Sequence, residues 1–367
     1  MKIGFVNFAP LEYDVSTPYK KPLGGTESAM CYLSVELVKR GHDITFYGRY
    51  SKVFRLKGVT HKPQEMLFRI ADENLDFLIN QTYTYYLQDL KEKSEGKTKI
   101  VLWQHLTHNQ PVVFGLSSQA VRSAIDAFVF VSNWQMKNFL EKFNLNKKKC
   151  RIIKNAISPT FENIFSDDKS ILKHKDSVLA YTSTPFRGLE SLLFMFPEIK
   201  RRVPKVILKV FSSMDVYQKK DEEKKQYQYL YDLCKKTDGV EYIGSISQTR
   251  LAQELKSTML LTYPTAWAET SCIATMEALA AGCKVVTTDL AALPETSEGF
   301  AYLVPANNCH KDNREMFINY TVKTLTRLIN LDKSLDIELI KQTKFYNQNY
   351  IWEKRAIEWE KLLLTLV

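Results

Sequence analysis

The run YPTAWAETSCIATMEALAAGCKVVTT, residues 263–288, holds a strand end, a polar loop, a helix and a second strand in one stretch. Just ahead of it, TMLLTY (Thr258–Tyr263) is a short apolar run closed by Pro264, the pattern of a buried strand. Thr270 or Ser271 is placed to cap a helix that Ala, Met, Leu and Glu residues carry to Ala281, with Gly282 as its stop. Residues 283–288 then read as the next strand. Strand, helix and strand in this order predict a parallel sheet, and ligands of such sheets bind at the carboxyl ends of the strands.

Two carboxylates mark the unit. Glu269 stands just before the helix and Glu277 two turns into it, separated by roughly 12 Å of helical rise at most. That is far for a shared proton, but it suits a ligand with a polar group at each end and an anion between them, facing the free N–H groups of the helix start. A sugar joined through a diphosphate to a nucleoside has that shape. Two solvated glutamates on a surface helix have the same spacing, so the pair alone does not decide between the two.

The surrounding residues carry a resemblance. Glu269, seven residues and Glu277, with the surrounding ATMEALAAGCKVVTTDLAALPE (residues 274–295), resemble the signature of retaining glycosyltransferases of family 4, which have the GT-B fold. The resemblance implies that Glu269 approaches the donor sugar hydroxyls, that Glu277 binds the ribose, and that the backbone of Thr270, Ser271, Cys272 and Ile273 holds the diphosphate. Thr270–Ser271–Cys272 stands where many relatives carry a Phe-Gly turn, which leaves the sugar open.

Composition sets the frame. A chain of 367 residues is long enough for two domains with full cores, and 45% hydrophobic with 25% charged residues is ordinary for a globular protein. No apolar run reaches the roughly 18 residues of a membrane span, and no signal-peptide pattern precedes the first strand. A cytoplasmic location is therefore expected. Six scattered cysteines, Cys31, Cys150, Cys234, Cys272, Cys283 and Cys309, lack the paired spacing of a metal site and fit reduced thiols. The net charge of +10 lies mostly in the first 165 residues. It suits peripheral contact with an anionic membrane or an anionic acceptor, and equally a lysine-rich solvated surface. No nucleic-acid motif accompanies it.

In the first half, residues 2–7 read as a strand, followed by a proline-bearing loop and then LGGTESAMCYLSVELVKRGHDITFYG (residues 23–48). Gly24 and Gly25 let a backbone approach a ligand, and Thr26 is placed to cap a helix ending at Gly41. The absence of a G-x-G-x-x-G fingerprint counts against a nicotinamide dehydrogenase. Further strands are expected over 75–80, 100–104 and 127–132. His105 then sits at a strand's carboxyl end, where its imidazole can bond a sugar hydroxyl or exchange a proton. With His108 it makes an H-x-x-H pair without a third ligand, and no metal site is expected. Family 4 enzymes carry a similar Gly-Gly turn with a following Glu, here Glu27. They also carry a histidine near the donor sugar, so the resemblance implies these roles for Gly24, Gly25 and His105, with His108 second. FVFVSNW (128–134) and RIIKNAI (151–157) resemble the family's approach to its interdomain crossing, with Ala156 where a Gly is usual.

In the second half, residues 177–182 read as a strand and TSTPFRGLESLLFMFPEI (182–199) as a turn and helix with Arg187 at its start. An arginine there can clamp a diphosphate through paired N–H donors. Many family 4 enzymes use two basic residues at this turn. Arg187–Gly188 resembles the second, while Thr182, Ser183 and Thr184 stand where the first would lie, so another cation such as Lys284 would have to serve. Residues 240–246 end in a glycine turn like the one that packs on the base in relatives, which implies contact with Gly244. Residues 217–236 read as one charged helix and 346–367 as one amphipathic helix with Trp352, Ala356, Trp359 and Leu363 in phase.

These readings converge on an α/β GT-B chain: two Rossmann-like doubly wound domains facing a cleft. Residues 1–160 would form the acceptor-side domain, 161–345 the nucleotide-sugar domain, and 346–367 a helix crossing back to the first. The resemblance implies a metal-independent retaining transferase with catalytic His105, Arg187 and Glu269. It would use no cofactor, taking a UDP- or GDP-sugar as donor and a glycan, lipid-linked or protein molecule as acceptor. A sugar-nucleotide epimerase and a catalytically silent sugar-nucleotide-binding protein are the alternatives.

Overall fold

Runs of fully buried strand residues, alternating with amphipathic helices, build two sheets in the computed structural model, which describes residues 1–165, 170–218, 221–306 and 311–367, without the side chains of 221 and 224. Cys309 lies outside the described residues. The chain divides into two units. One comprises Met1–Pro18, Gly24–Ala156 and Trp352–Val367, the other Tyr19–Leu23 and Ile157–Ile351.

The first unit contains β1 (Lys2–Val6), β2 (Asp43–Gly48), β3 (Phe54–Leu56), β4 (Val59–Pro63), β5 (Phe77–Gln81), β6 (Lys99–Gln104), β7 (Ala127–Phe130) and β8 (Cys150–Ile152). They lie in the order β3-β4-β2-β1-β5-β6-β7-β8, every pairing parallel except the hairpin of β3 with β4. β5 is buried at all five positions, as a central strand covered on both faces must be. The hairpin escapes the sequence pattern because its strands are short and lie at the sheet's edge. The helix Trp352–Leu364 belongs to this unit and packs against the helix Gly25–Lys39. Trp359 meets Trp103 with ring centroids 5.2 Å apart.

The second unit contains β9 (Asp176–Tyr181), β10 (Ile207–Val210), β11 (Val240–Tyr242), β12 (Thr258–Tyr263), β13 (Lys284–Thr288) and β14 (Ala301–Val304), ordered β11-β10-β9-β12-β13-β14 and all parallel. The chain order reverses between β9 and β12, so their carboxyl ends flank a switch point of the sheet. The α/β GT-B class read from the sequence is the observed one. Two boundaries differ from those read from the sequence: the first unit ends at Ala156 rather than 160, and the last segment joins it at Trp352 rather than 346. Tyr346 and Tyr350 pack in the second unit's core, so the helical phase breaks at Tyr350 (φ −121°, ψ 50°), giving Lys333–Asn349 and Trp352–Leu364 instead of one helix. The charged helix is likewise two, Asp221–Lys225 and Gln228–Lys236.

Candidate functional site

The carboxyl ends of β9, β10 and β12 carry a polar cluster of the second unit. β9 leads into Thr182, Ser183 and Thr184, then a single turn Pro185–Arg187 that ends on Gly188 with φ +113°. Gly188 is required twice over. Its backbone is left-handed, and a Cβ there would meet the Pro264 carbonyl oxygen at 2.4 Å. This close approach seats the Arg187 turn on the end of β12.

Arg187 Nη1 donates to Glu269 Oε1 at 2.9 Å, and Nη2 donates to the Tyr217 hydroxyl at 3.2 Å. Glu269 Oε1 also accepts the Tyr263 hydroxyl at 2.5 Å, and that hydroxyl lies 3.3 Å from Ser183 Oγ. The guanidinium carbon stands 5.5 Å from the ring centroids of both Phe186 and Trp267. Burial opposes its charge, but Glu269, with Tyr217 and Tyr263, outweighs that and holds Arg187 above its ordinary pKa. Its Nε–H is buried without an acceptor among the described residues. So are the hydroxyls of Thr182, Thr184, Ser212 and Ser271. Thr182 and Thr184 follow β9, Ser212 follows β10 and Ser271 follows β12, so unanswered donors gather where a ligand of this sheet binds.

The capping expected of Thr270 or Ser271 does not occur. The helix runs Ile273–Ala280 with Cys272 at its N-cap and no side-chain cap bond, because the loop stays extended one residue further to carry Glu269. Gly282 does close it, at φ +68°. Thr275 donates to Cys272 Sγ at 3.3 Å, and burial pushes that thiol up to about 12, so it is no nucleophile at neutral pH. The Glu269 carbonyl accepts from Ala292 N–H at 3.0 Å, beside Ala291, which holds φ +57°.

Glu277 stands apart from the pair. It is buried, its Oε1 accepts the Ser158 backbone N–H at 3.1 Å, and burial lifts its carboxyl to about 8 despite that bond. Gly244 adopts φ +77°, and next to it Ser213 Oγ donates to Ser245 Oγ at 2.9 Å. Lys284 is not the substitute cation: its Nζ donates to the Phe300 carbonyl at 3.1 Å and pairs with Glu338 at 3.3 Å.

The carboxyl edge of the first sheet carries amides, a histidine and one buried glutamate instead of an ion pair. Asn7, after β1, donates to Glu27 Oε1 at 3.3 Å and Gln81 Oε1 at 3.0 Å, and Gln81 donates to the Thr26 carbonyl at 2.7 Å. Gln104 accepts the backbone N–H groups of His105 and Leu106 at 3.0 and 2.9 Å. His105 is buried against Trp103, with centroids 4.6 Å apart, and burial pushes it down to about 3, so it is a neutral imidazole at physiological pH. Burial likewise raises Glu27. Gly24 caps the helix Gly25–Lys39 with extended backbone (φ −60°, ψ 151°), displacing the expected Thr26 cap. Thr82, after β5, holds φ +73°, an outlier for a β-branched residue. Tyr217, Tyr263, Trp267, Asn7, Gln81 and Thr82 escaped the sequence reading. For all but Tyr217, a position at or just past a strand end was the available signal.

Among the described residues no three His, Cys, Asp or Glu side chains group as a metal site, and no helix is long and apolar enough to cross a membrane. Residues 164–315 match the model of glycosyl transferases group 1, and Arg187, Gly244, Glu269 and Glu277 all fall within that match. No curated protein matches the sequence. Similar solved structures include a glycosyltransferase from Rickettsia africae, with TM-score 0.74 and 14% identity over 99% of this chain and 97% of that one. Anabaena HepE, solved with UDP-glucose, has TM-score 0.71 and 13% identity over 100% of both chains. Sucrose-phosphate synthase from Thermosynechococcus elongatus has TM-score 0.69 and 15% identity over 100% of this chain and 99% of that one. The whole chain thus has the GT-B fold, and its residues 164–315 carry the pattern of the group 1 glycosyl transferases.

Proposed function

We propose that this chain is a retaining glycosyltransferase of the family 4 type, transferring a sugar from a nucleoside diphosphate donor, with UDP- and GDP-sugars the first candidates. The observation that carries the reading is the Arg187–Glu269 pair at the switch point of the second sheet, inside the stretch matched to the group 1 transferases. The neighbour HepE, solved with UDP, with UDP and glucose and with UDP-glucose, supports this choice of donor class.

Arg187 has a donor to spare. With Nη1 on Glu269 and Nη2 on Tyr217, its Nε–H can meet a diphosphate oxygen, and negative charge grows there as the glycosidic bond breaks. The N–H groups at the start of Ile273–Ala280 add a second source of positive potential. Glu269 accepts from a sugar hydroxyl. Glu277 takes the ribose, and Gly244 lies against the base. The acceptor is a glycan, lipid-linked or protein hydroxyl, and it attacks the face from which the diphosphate leaves. His105, neutral, serves by hydrogen bonding. No enzymic nucleophile is assigned, and the reaction is taken as metal-independent.

A second reading, a sugar-nucleotide-binding protein without turnover, has one observation in its favour: Thr182, Ser183 and Thr184 stand where relatives place a first basic residue. A thermal-shift and nucleotide-release screen against UDP-, GDP-, ADP- and CMP-sugars separates the two. Ligands that bind only the folded state raise Tm. The transferase predicts one donor that stabilises the chain and releases its nucleotide; stabilisation without release, with acceptors supplied, selects the binding protein.

A further inference from the structure

The chain has five tryptophans. Trp103, Trp352 and Trp359 are buried in the core and Trp134 is half-buried, whereas Trp267 is 38% exposed. A single exposed indole is ordinary, so exposure alone says nothing. The surroundings of this one do.

Its loop is fastened rather than free. Trp267 N–H donates to Thr265 Oγ1 at 3.0 Å, Thr265 N–H donates to the Tyr263 carbonyl at 2.9 Å, and Thr288 Oγ1 donates to the Thr265 carbonyl at 2.9 Å. The ring is braced as well: Phe186 meets it edge-on at 5.1 Å, and the Arg187 guanidinium carbon lies 5.5 Å from its centroid. Two residues further along the chain is Glu269, which holds that same Arg187. The structure thus presents a rigid, partly open aromatic surface beside the two charged groups of the site.

We propose that Trp267 is the stacking platform for the donor's sugar ring, and so a specificity-determining residue of this edge; the proposal rests on reading the edge as a nucleotide-sugar site. A pyranose turns a patch of C–H bonds, slightly positive, toward one of its faces, and the face of an indole carries the opposite charge. Covalent order decides which part of the donor reaches it. The sugar is bonded directly to the phosphate nearest Arg187, so it lies within one ring's length of that guanidinium. The base is held off by a second phosphate and a ribose.

The test measures binding of UDP-glucose and of UDP, or the matching pair for whichever donor stabilises the chain, to the full-length protein by calorimetry and tryptophan fluorescence. Trp267→Leu should weaken the nucleotide-sugar on the order of ten-fold and leave the free nucleoside diphosphate unchanged. Trp267→Phe, which keeps the packing on Phe186 and Arg187, should retain most of the affinity and lose the fluorescence change. Equal losses for both ligands would assign the ring to the base or to the loop's integrity and overturn the proposal, as would no loss for either. Failure of the unaltered protein to bind any nucleotide-sugar would instead overturn the reading of the site on which the proposal rests.

Discussion

The carboxyl edges of the two sheets are built alike and charged differently. In the second unit the edge centres on an ion pair, Arg187 with Glu269, beside hydroxyls that have no partner among the described residues. In the first, the edge is a network of amides around a neutral histidine and a glutamate whose pKa burial has raised. A strand end supplies the position and the side chains supply the chemistry. A charged edge suits a group that gains charge as it leaves, and an amide-lined one suits a hydroxyl that must be oriented.

The comparison breaks most visibly at Arg187. Arg187→Ala should lower the rate of transfer by about 10²–10³-fold with the fold intact, the scale of losing one charged stabiliser of the leaving group. Initial rates at saturating donor check this, and an unchanged rate would remove the charged edge from the mechanism. Tyr263→Phe should cost less, about ten-fold in kcat with little change in KM, because it frees Glu269 Oε1 of one donor while keeping the ring packed. On the first sheet's edge, His105→Ala should reduce transfer several-fold and leave nucleotide affinity unchanged; equal losses would reduce His105 to a packing role.

The two edges also predict opposite pH behaviour. Burial holds the Glu277 proton in the folded state up to about 8, against 4.5 for an ordinary glutamate, so its contribution to stability falls as pH rises through that window. Burial keeps His105 neutral down to about 3, against 6.5, so its contribution falls as pH drops below about 6.5. Glu277→Gln should flatten the fall of Tm between about pH 4.5 and 8, and His105→Asn the fall below about pH 6.5. Gly188→Ala should destabilise by about 1–3 kcal/mol in denaturant titrations through its left-handed backbone and the Pro264 carbonyl, and should lower transfer as well, because that turn seats Arg187.

Much of the fold was legible because its signals are local. Apolar strands such as Thr258–Tyr263 and Lys284–Thr288, with a helix between them, leave few topologies open. The hairpin of β3 and β4 was not legible, since short edge strands bury too little to leave a pattern. Nor was the pairing of Arg187 with Glu269, which are 82 residues apart and meet only because β9 and β12 lie side by side. Tyr263 read as an ordinary apolar strand residue, and its hydroxyl's role depends on that same adjacency. The two expected caps missed in opposite directions: the helix Gly25–Lys39 begins ahead of Thr26, and the helix Ile273–Ala280 begins after Ser271, so neither residue stands at an N-cap.

The central claim is that the charged edge drives departure of a nucleoside diphosphate. The most direct test follows donor consumption by proton NMR for the unaltered protein and Arg187→Ala, side by side, with acceptors supplied. The account predicts nucleoside diphosphate release, a product whose anomeric signal keeps the donor's configuration, and loss of both in the variant. Release that is equally fast in the variant, or a product of inverted configuration, would contradict it.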